Sequence, residues 1–95
     1  MQDDSDKLFT ETNKKILLKV LGQIIHDERK KINKGINLFS YEYDLGNGIL
    51  SKLEKGQADS RISTLWKLAN AFGYKCSDLI RMVEENLPDN FNFYE

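Results

Sequence analysis

The chain has 95 residues, 40% hydrophobic and 31% charged, with one proline, six glycines and a net charge of −1. That length suits one compact domain and not two, and so few turn-forming residues favour helices over a strand-rich fold. No apolar run approaches the ~18 residues of a membrane span, the acidic N-terminus does not read as a signal peptide, and the single Cys76 has no internal disulfide partner, so a reducing cytoplasm is the expected location.

The near-neutral total conceals a segregated pattern. Residues 1–11 carry −3, residues 12–75 carry +6 and residues 76–95 carry −4. A basic middle between acidic ends is compatible with phosphate binding and equally with solvated helix faces between charged tails. The expected organisation is an acidic extension over 1–11, an all-α domain over 12–85 and an aromatic tail over 86–95.

In chain order, residues 1–9 read as a frayed polar stretch with Leu8 and Phe9 as anchors. The first helix is expected over 12–31: Leu17, Leu18, Leu21, Ile24, Ile25, Glu28 and Ile32 recur at three- and four-residue steps. Asn33 and Gly35 read as its stop. A second helix is expected over 37–43, with Phe39, Ser40 and Tyr43 inward and Tyr41 and Glu42 outward. Asp44 is the expected turn residue, because Asp tolerates the left-handed region better than most. A third helix is expected over 47–55, capped by Gly46 and closed by Gly56, with Leu45, Leu50 and Leu53 buried. A fourth begins near Ser60 or Arg61 and ends at Gly73, with Ile62, Leu65, Leu68, Ala69 and Phe72 on one face. A fifth begins at Cys76 or Ser77, carries Leu79, Ile80, Met82 and Val83, and must stop before Pro88.

The stretch Tyr41–Gly56, YEYDLGNGILSKLEKG, reads as the end of one helix, a tight turn and a short second helix closed by glycine. This is the pattern of a helix-turn-helix. Within it, Leu50-Ser51-Lys52-Leu53-Glu54-Lys55-Gly56 resembles the Cro/phage-repressor (XRE-like) helix-turn-helix DNA-binding family, whose reading helix often ends in such a string. Phe39-Ser40, Leu45, Ile62, Leu65, Leu68-Ala69, Phe72-Gly73 and Leu79 fall in step downstream, and Leu21 and Ile25 upstream, so the resemblance spans about residues 20–80. Ile36 departs from it, standing where a polar residue is usual. Ser40 replaces a typical alanine, Asp44 a typical glycine and Ser60 a frequent proline.

The resemblance implies a five-helix lambda-repressor-like domain and an internal ion pair between Arg29 and Glu54. It implies that Gly46, Asn47, Gly48, Ile49 and Lys52 face the major groove. Asn47 would pair with adenine, Ile49 would touch a thymine methyl, and Lys52 would reach guanine or phosphate. The two glycines would let the backbone approach closely. Lys34, Asn37, Tyr41, Lys55, Gln57 and Arg61 would take phosphates, although each alone also reads as solvated surface.

Enzymatic chemistry has little to stand on. His26 is the sole histidine and reads as a polar surface residue, no nucleophile motif is present, and His26 with Cys76 is too small a metal set. Gly46-Asn47-Gly48 lacks the strand and further glycine of a phosphate loop, while Trp66 and the tyrosines read as core and rim. No enzyme activity, cofactor or metal is expected.

The expected function is sequence-specific transcriptional repression on double-stranded DNA. The rivals are an antitoxin-like protein-binding module that also represses, and a scaffold relative without DNA binding. A homodimer would form through the fifth helix (Leu79, Met82, Val83), the tail (Leu87, Phe91, Phe93, Tyr94) or the extended first helix (Ile16, Leu17, Val20). Those segments could instead cover one another within one chain.

Overall fold

The computed structural model describes residues 4–46 and 48–94, with side chains from Thr10 onward, so Leu8, Phe9 and Asn47 as side chains lie outside the described residues. The described residues form five helices and no strand: α1 (Asp4–Lys31), α2 (Ile36–Glu42), α3 (Ile49–Glu54), α4 (Ile62–Ala71) and α5 (Cys76–Glu85). The molecule is all-α. Among the described residues, no helix is long and apolar enough to cross a membrane.

The first helix begins at Asp4 and not at residue 12, so most of the expected frayed extension is helical. No proline or glycine interrupts 4–21, and acidic residues at a helix start sit favourably against its dipole. At 1.5 Å per residue, the 28 residues of α1 account for most of the 46 Å long axis of the molecule. They also explain a radius of gyration of 14.5 Å, above the ~12 Å of a spherical domain of this length.

The core gathers one stripe from each helix. Leu21, Ile24 and Ile25 of α1 meet Phe39 of α2, Leu50 and Leu53 of α3, Leu68 and Ala69 of α4, and Cys76, Leu79 and Val83 of α5. Phe39 is fully buried and its ring lies 4.7 Å from Tyr43 and 5.5 Å from Phe72. Such tilted aromatic pairs add to the burial itself. Ile32, expected in this stripe, is instead 38% exposed, because α1 ends at Lys31 and the chain turns at Asn33, whose φ is +56°.

Three helix ends share one device. Leu45 N–H donates to the Ser40 carbonyl, Gln57 N–H to Lys52 and Tyr74 N–H to Ala69, at 2.8–2.9 Å. Each such bond spans a left-handed corner, at Asp44 (φ +54°), Gly56 (φ +70°) and Gly73 (φ +87°). This is the Schellman arrangement, which satisfies carbonyls the helix leaves open. α5 starts from Lys75, one residue before the expected caps, and the Asp78 carboxylate accepts from the Lys75 N–H at 3.0 Å.

One apolar residue of α4 is not where periodicity placed it, and a second, read as core or rim, lies at the rim. Ile62 is 65% exposed and Trp66 57% exposed. Ile62 opens the helix, beyond the core that Leu68 and Ala69 enter, and Trp66 lies off the stripe that those two define. The aromatic tail folds back: Asn13 Nδ2 donates to the Asn92 carbonyl at 2.8 Å, and Phe91 and Phe93 are half-buried with their rings 5.6 Å apart.

Candidate nucleic-acid interface

The third helix is short and firmly seated. Leu50 and Leu53 anchor its inner side, and its C-terminal end is docked on α1 at a glycine. A methyl group at Gly22 would lie 2.3 Å from the Leu53 carbonyl oxygen and 2.9 Å from that of Glu54. Beside this contact, Arg29 Nε and Nη2 donate to the two oxygens of Glu54 at 2.7 and 2.8 Å, and Arg29 Nη1 donates to the Lys34 carbonyl at 2.7 Å. Arg29 thereby ties α1 to both α3 and the α1–α2 turn.

His26 completes this lock. Its Nδ1 lies 2.9 Å from Glu54 Oε1; a carboxylate only accepts, so the ring must donate. His26 is therefore half-buried and structural, not a free surface residue as its sequence context suggests. Its position three residues before Arg29, on the same helical face, was the available signal. Burial pushes the Glu54 carboxyl up, but the hydrogen bonds from Arg29 and His26 outweigh it and hold the group below the usual carboxylate value. The Glu54 hydrogen bond raises Arg29 further, against its burial.

The turn between α2 and α3 is longer than the tight turn the sequence suggests. α2 stops at Glu42 and α3 starts at Ile49, so Gly46 and Gly48 lie in the connection and not on the helix. Gly48, with φ +77°, occupies the cap position expected of Gly46. A methyl group added at Gly48 would have nothing within 4 Å, so the glycine answers to backbone conformation and not to crowding within the fold. Asn47 lies outside the described residues.

Two surface grooves flank α3. One, about 440 Å³, runs between α3 and the start of α4 and is lined by Gly46, Ile49, Lys52 and Arg61 together with Asp44, Asp59 and Lys67. The other, about 410 Å³, lies between α2 and α3 and is lined by Ile36, Asn37, Tyr41, Gly48 and Ser51. Ser51, half-buried on α3 and lining this groove beside the Gly48 cap, was not singled out in the sequence. Tyr41 is 86% exposed. Lys55 and Gln57 are exposed at the far end of α3 and line neither groove.

The charges in the α3–α4 groove are not balanced. Asp44 accepts from Lys67, at 3.0 Å through its carbonyl and 3.4 Å through its carboxylate, and Asp59 pairs with Lys14 at 3.8 Å. Lys52 and Arg61 form no ion pair among the described residues, leaving the groove positive. Lys34, expected on phosphate, is placed otherwise. Its ammonium bonds the Glu42 carboxylate and stands 5.4 Å from the Tyr43 ring centre, so its charge is already met. Among the described residues, no group of three or more His, Cys, Asp or Glu side chains is arranged to hold a metal ion. Comparison with protein-family models, with curated proteins and with solved structures returned no match.

Proposed function

We propose that this chain is a small DNA-binding regulator, a lambda-repressor-like domain that acts as a repressor in the cytoplasm and lays α3 toward the major groove. The observation that carries the reading is the positive rim of the α3–α4 groove, where Lys52 and Arg61 have no ion-pair partner among the described residues, beside a helix fixed in place by Arg29 and Glu54. Cations that find no internal partner next to a rigid exposed helix suit phosphates on either side of a groove. Ile49, 40% exposed, and Lys52 are the side chains on the described part of α3 offered to bases. With so few, backbone contacts outweigh base reading, and sequence discrimination is modest. The regulator works as a homodimer on paired half-sites.

The antitoxin-like alternative rested on an apolar tail free to clamp a partner. Phe91 and Phe93 are half-buried and Asn92 is tied to α1, so that observation no longer favours it.

A titration with random duplex at two salt concentrations tests the proposal. Affinity should fall with added salt, and the double reversal Lys55→Glu with Arg61→Glu should weaken binding to every duplex alike. It should also flatten the log–log salt slope by roughly two. Unchanged affinity in the double variant would remove this face from consideration.

A further inference from the structure

We infer that Lys15 and Lys19 of the long first helix, together with Lys55, form a second row of phosphate contacts that takes the sugar-phosphate backbone of a duplex outside the α3–α4 groove. The inference rests on the DNA reading above and adds α1 to its binding surface.

Lys15, Lys19, Gly22, His26 and Arg29 follow one another at four- and three-residue steps, which places them on one side of α1. The later three meet α3: Gly22 lies against the Leu53 and Glu54 carbonyls, and His26 and Arg29 hold the Glu54 carboxylate. Where α3 ends, the same side of α1 runs on beside the α3–α4 connection. A methyl group at Gly56 would lie 3.0 Å from the Lys19 Cα and 3.3 Å from its nitrogen, so the two backbones touch there. One turn further, Lys14 Nζ reaches Asp59 at 3.8 Å. These two contacts hold this part of α1 without the tail. They set Lys15 and Lys19, both exposed, beside exposed Lys55 and Gln57, the two residues expected on phosphate that line neither groove.

Charge selects the occupant. Lys15, Lys19 and Lys55 form no ion pair among the described residues. Asp59 is taken up by Lys14, and Glu11, a turn before Lys15, does not offset the three lysines. Such an excess repels itself until a polyanion meets it. The row is also continuous with the cations already assigned to DNA, since the connection that carries Lys55 at its start ends at Arg61 of the α3–α4 groove. A duplex backbone spans both; an isolated anion does not.

The random-duplex titration at several salt concentrations, run on the full chain, tests this with Lys15→Ala/Lys19→Ala. Both side chains are exposed and alanine suits a helix, so the helical circular dichroism should be unchanged. Duplex affinity near 0.1 M salt should fall on the order of tenfold, and the log–log salt slope should flatten by roughly two. Lys75→Ala/Arg81→Ala removes the same formal charge from α5 and should leave the slope unchanged.

A wild-type slope in Lys15→Ala/Lys19→Ala overturns the row while leaving the α3 reading in place. An equal loss in the α5 variant also overturns it, because net charge alone would then be at work. A wild type that ignores duplex at every salt concentration overturns both readings. Co-sedimentation with vesicles of anionic phospholipid that Lys15→Ala/Lys19→Ala abolishes, beside unchanged duplex binding, gives the row to a membrane surface and overturns the inference.

Discussion

The Glu54 carboxylate accepts from three donors on α1, two on Arg29 and one on His26, while its side chain is only 6% exposed. A buried ion pair of this kind adds little against an apolar replacement, but stranding one partner is costly. Glu54→Ala is therefore expected to lose roughly 3–5 kcal/mol of unfolding free energy, read by urea denaturation. Wild-type-like melting would mean that Arg29 is satisfied without it. A second carboxylate behaves alike: Glu28, 5% exposed, accepts from Lys31 and, at 2.7 Å, from the Tyr74 hydroxyl. Burial pushes Glu28 up, and the hydrogen bonds from Lys31 and Tyr74 bring it below its ordinary value. For a group whose folded pKa is depressed, the stabilisation is complete above the unfolded value and lost as pH falls through the folded one. The melting temperature should thus hold level above about pH 5 and decline below about pH 4.3, the unfolded glutamate value. Glu28→Gln should shrink that decline, and a decline of the same size in the variant would assign the acid sensitivity elsewhere.

At the scale of elements, the α1–α3 contact rests on Gly22. Glycine in mid-helix ordinarily costs about 0.5–1 kcal/mol relative to alanine, so Gly22→Ala would stabilise α1 in isolation. Here the added methyl meets the carbonyls of Leu53 and Glu54, backbone atoms that cannot rotate aside. The Leu53 carbonyl is also engaged by Gly56 N–H at 3.0 Å, so moving it disturbs the end of α3. Overpacking of this kind costs about 1–3 kcal/mol, more than the propensity gain, and the variant should melt at a lower temperature than wild type. A higher melting temperature would show that the helices part cheaply. Nothing in the sequence around Gly22 announces this, because a close approach is a property of two helices and the local pattern belongs to one. The helix ends were more legible: Gly56, Gly73 and Asp44 are local signals for left-handed corners, and all three have positive φ. Gly46 and Gly48 were not separable by sequence, since either satisfies a cap and only the backbone path shows that α3 starts after the second. That two-residue delay takes Gly48 off the helix and leaves Ile49 and Lys52 of the base-facing set there. Ile62 escaped for a related reason. Periodicity assigns a residue to a helical face, but it does not say how far along the helix the neighbouring surface extends.

Across the whole molecule, charge and shape divide the work. The basic middle surrounds α3, while the acidic 76–95 segment ends in a tail that turns back toward Asn13. Among the described residues, the contacts of 88–95 with the rest of the chain are few, a backbone carbonyl tied to Asn13 and two half-buried rings, set against a core built from all five helices. Removing residues 88–95 should therefore leave a cooperative melt at a moderately lower temperature, with helix lost mainly from the N-terminal half of α1. Duplex affinity should change by less than about threefold, because the deletion removes two carboxylates, Asp89 and Glu95, and none of the cations proposed to meet phosphate. Circular dichroism melts and the random-duplex titration, run on the same truncated protein, measure both effects. A truncated chain that keeps its fold but no longer binds duplex would place the tail in the nucleic-acid interface. The positive groove between α3 and α4 would then be only part of the contact.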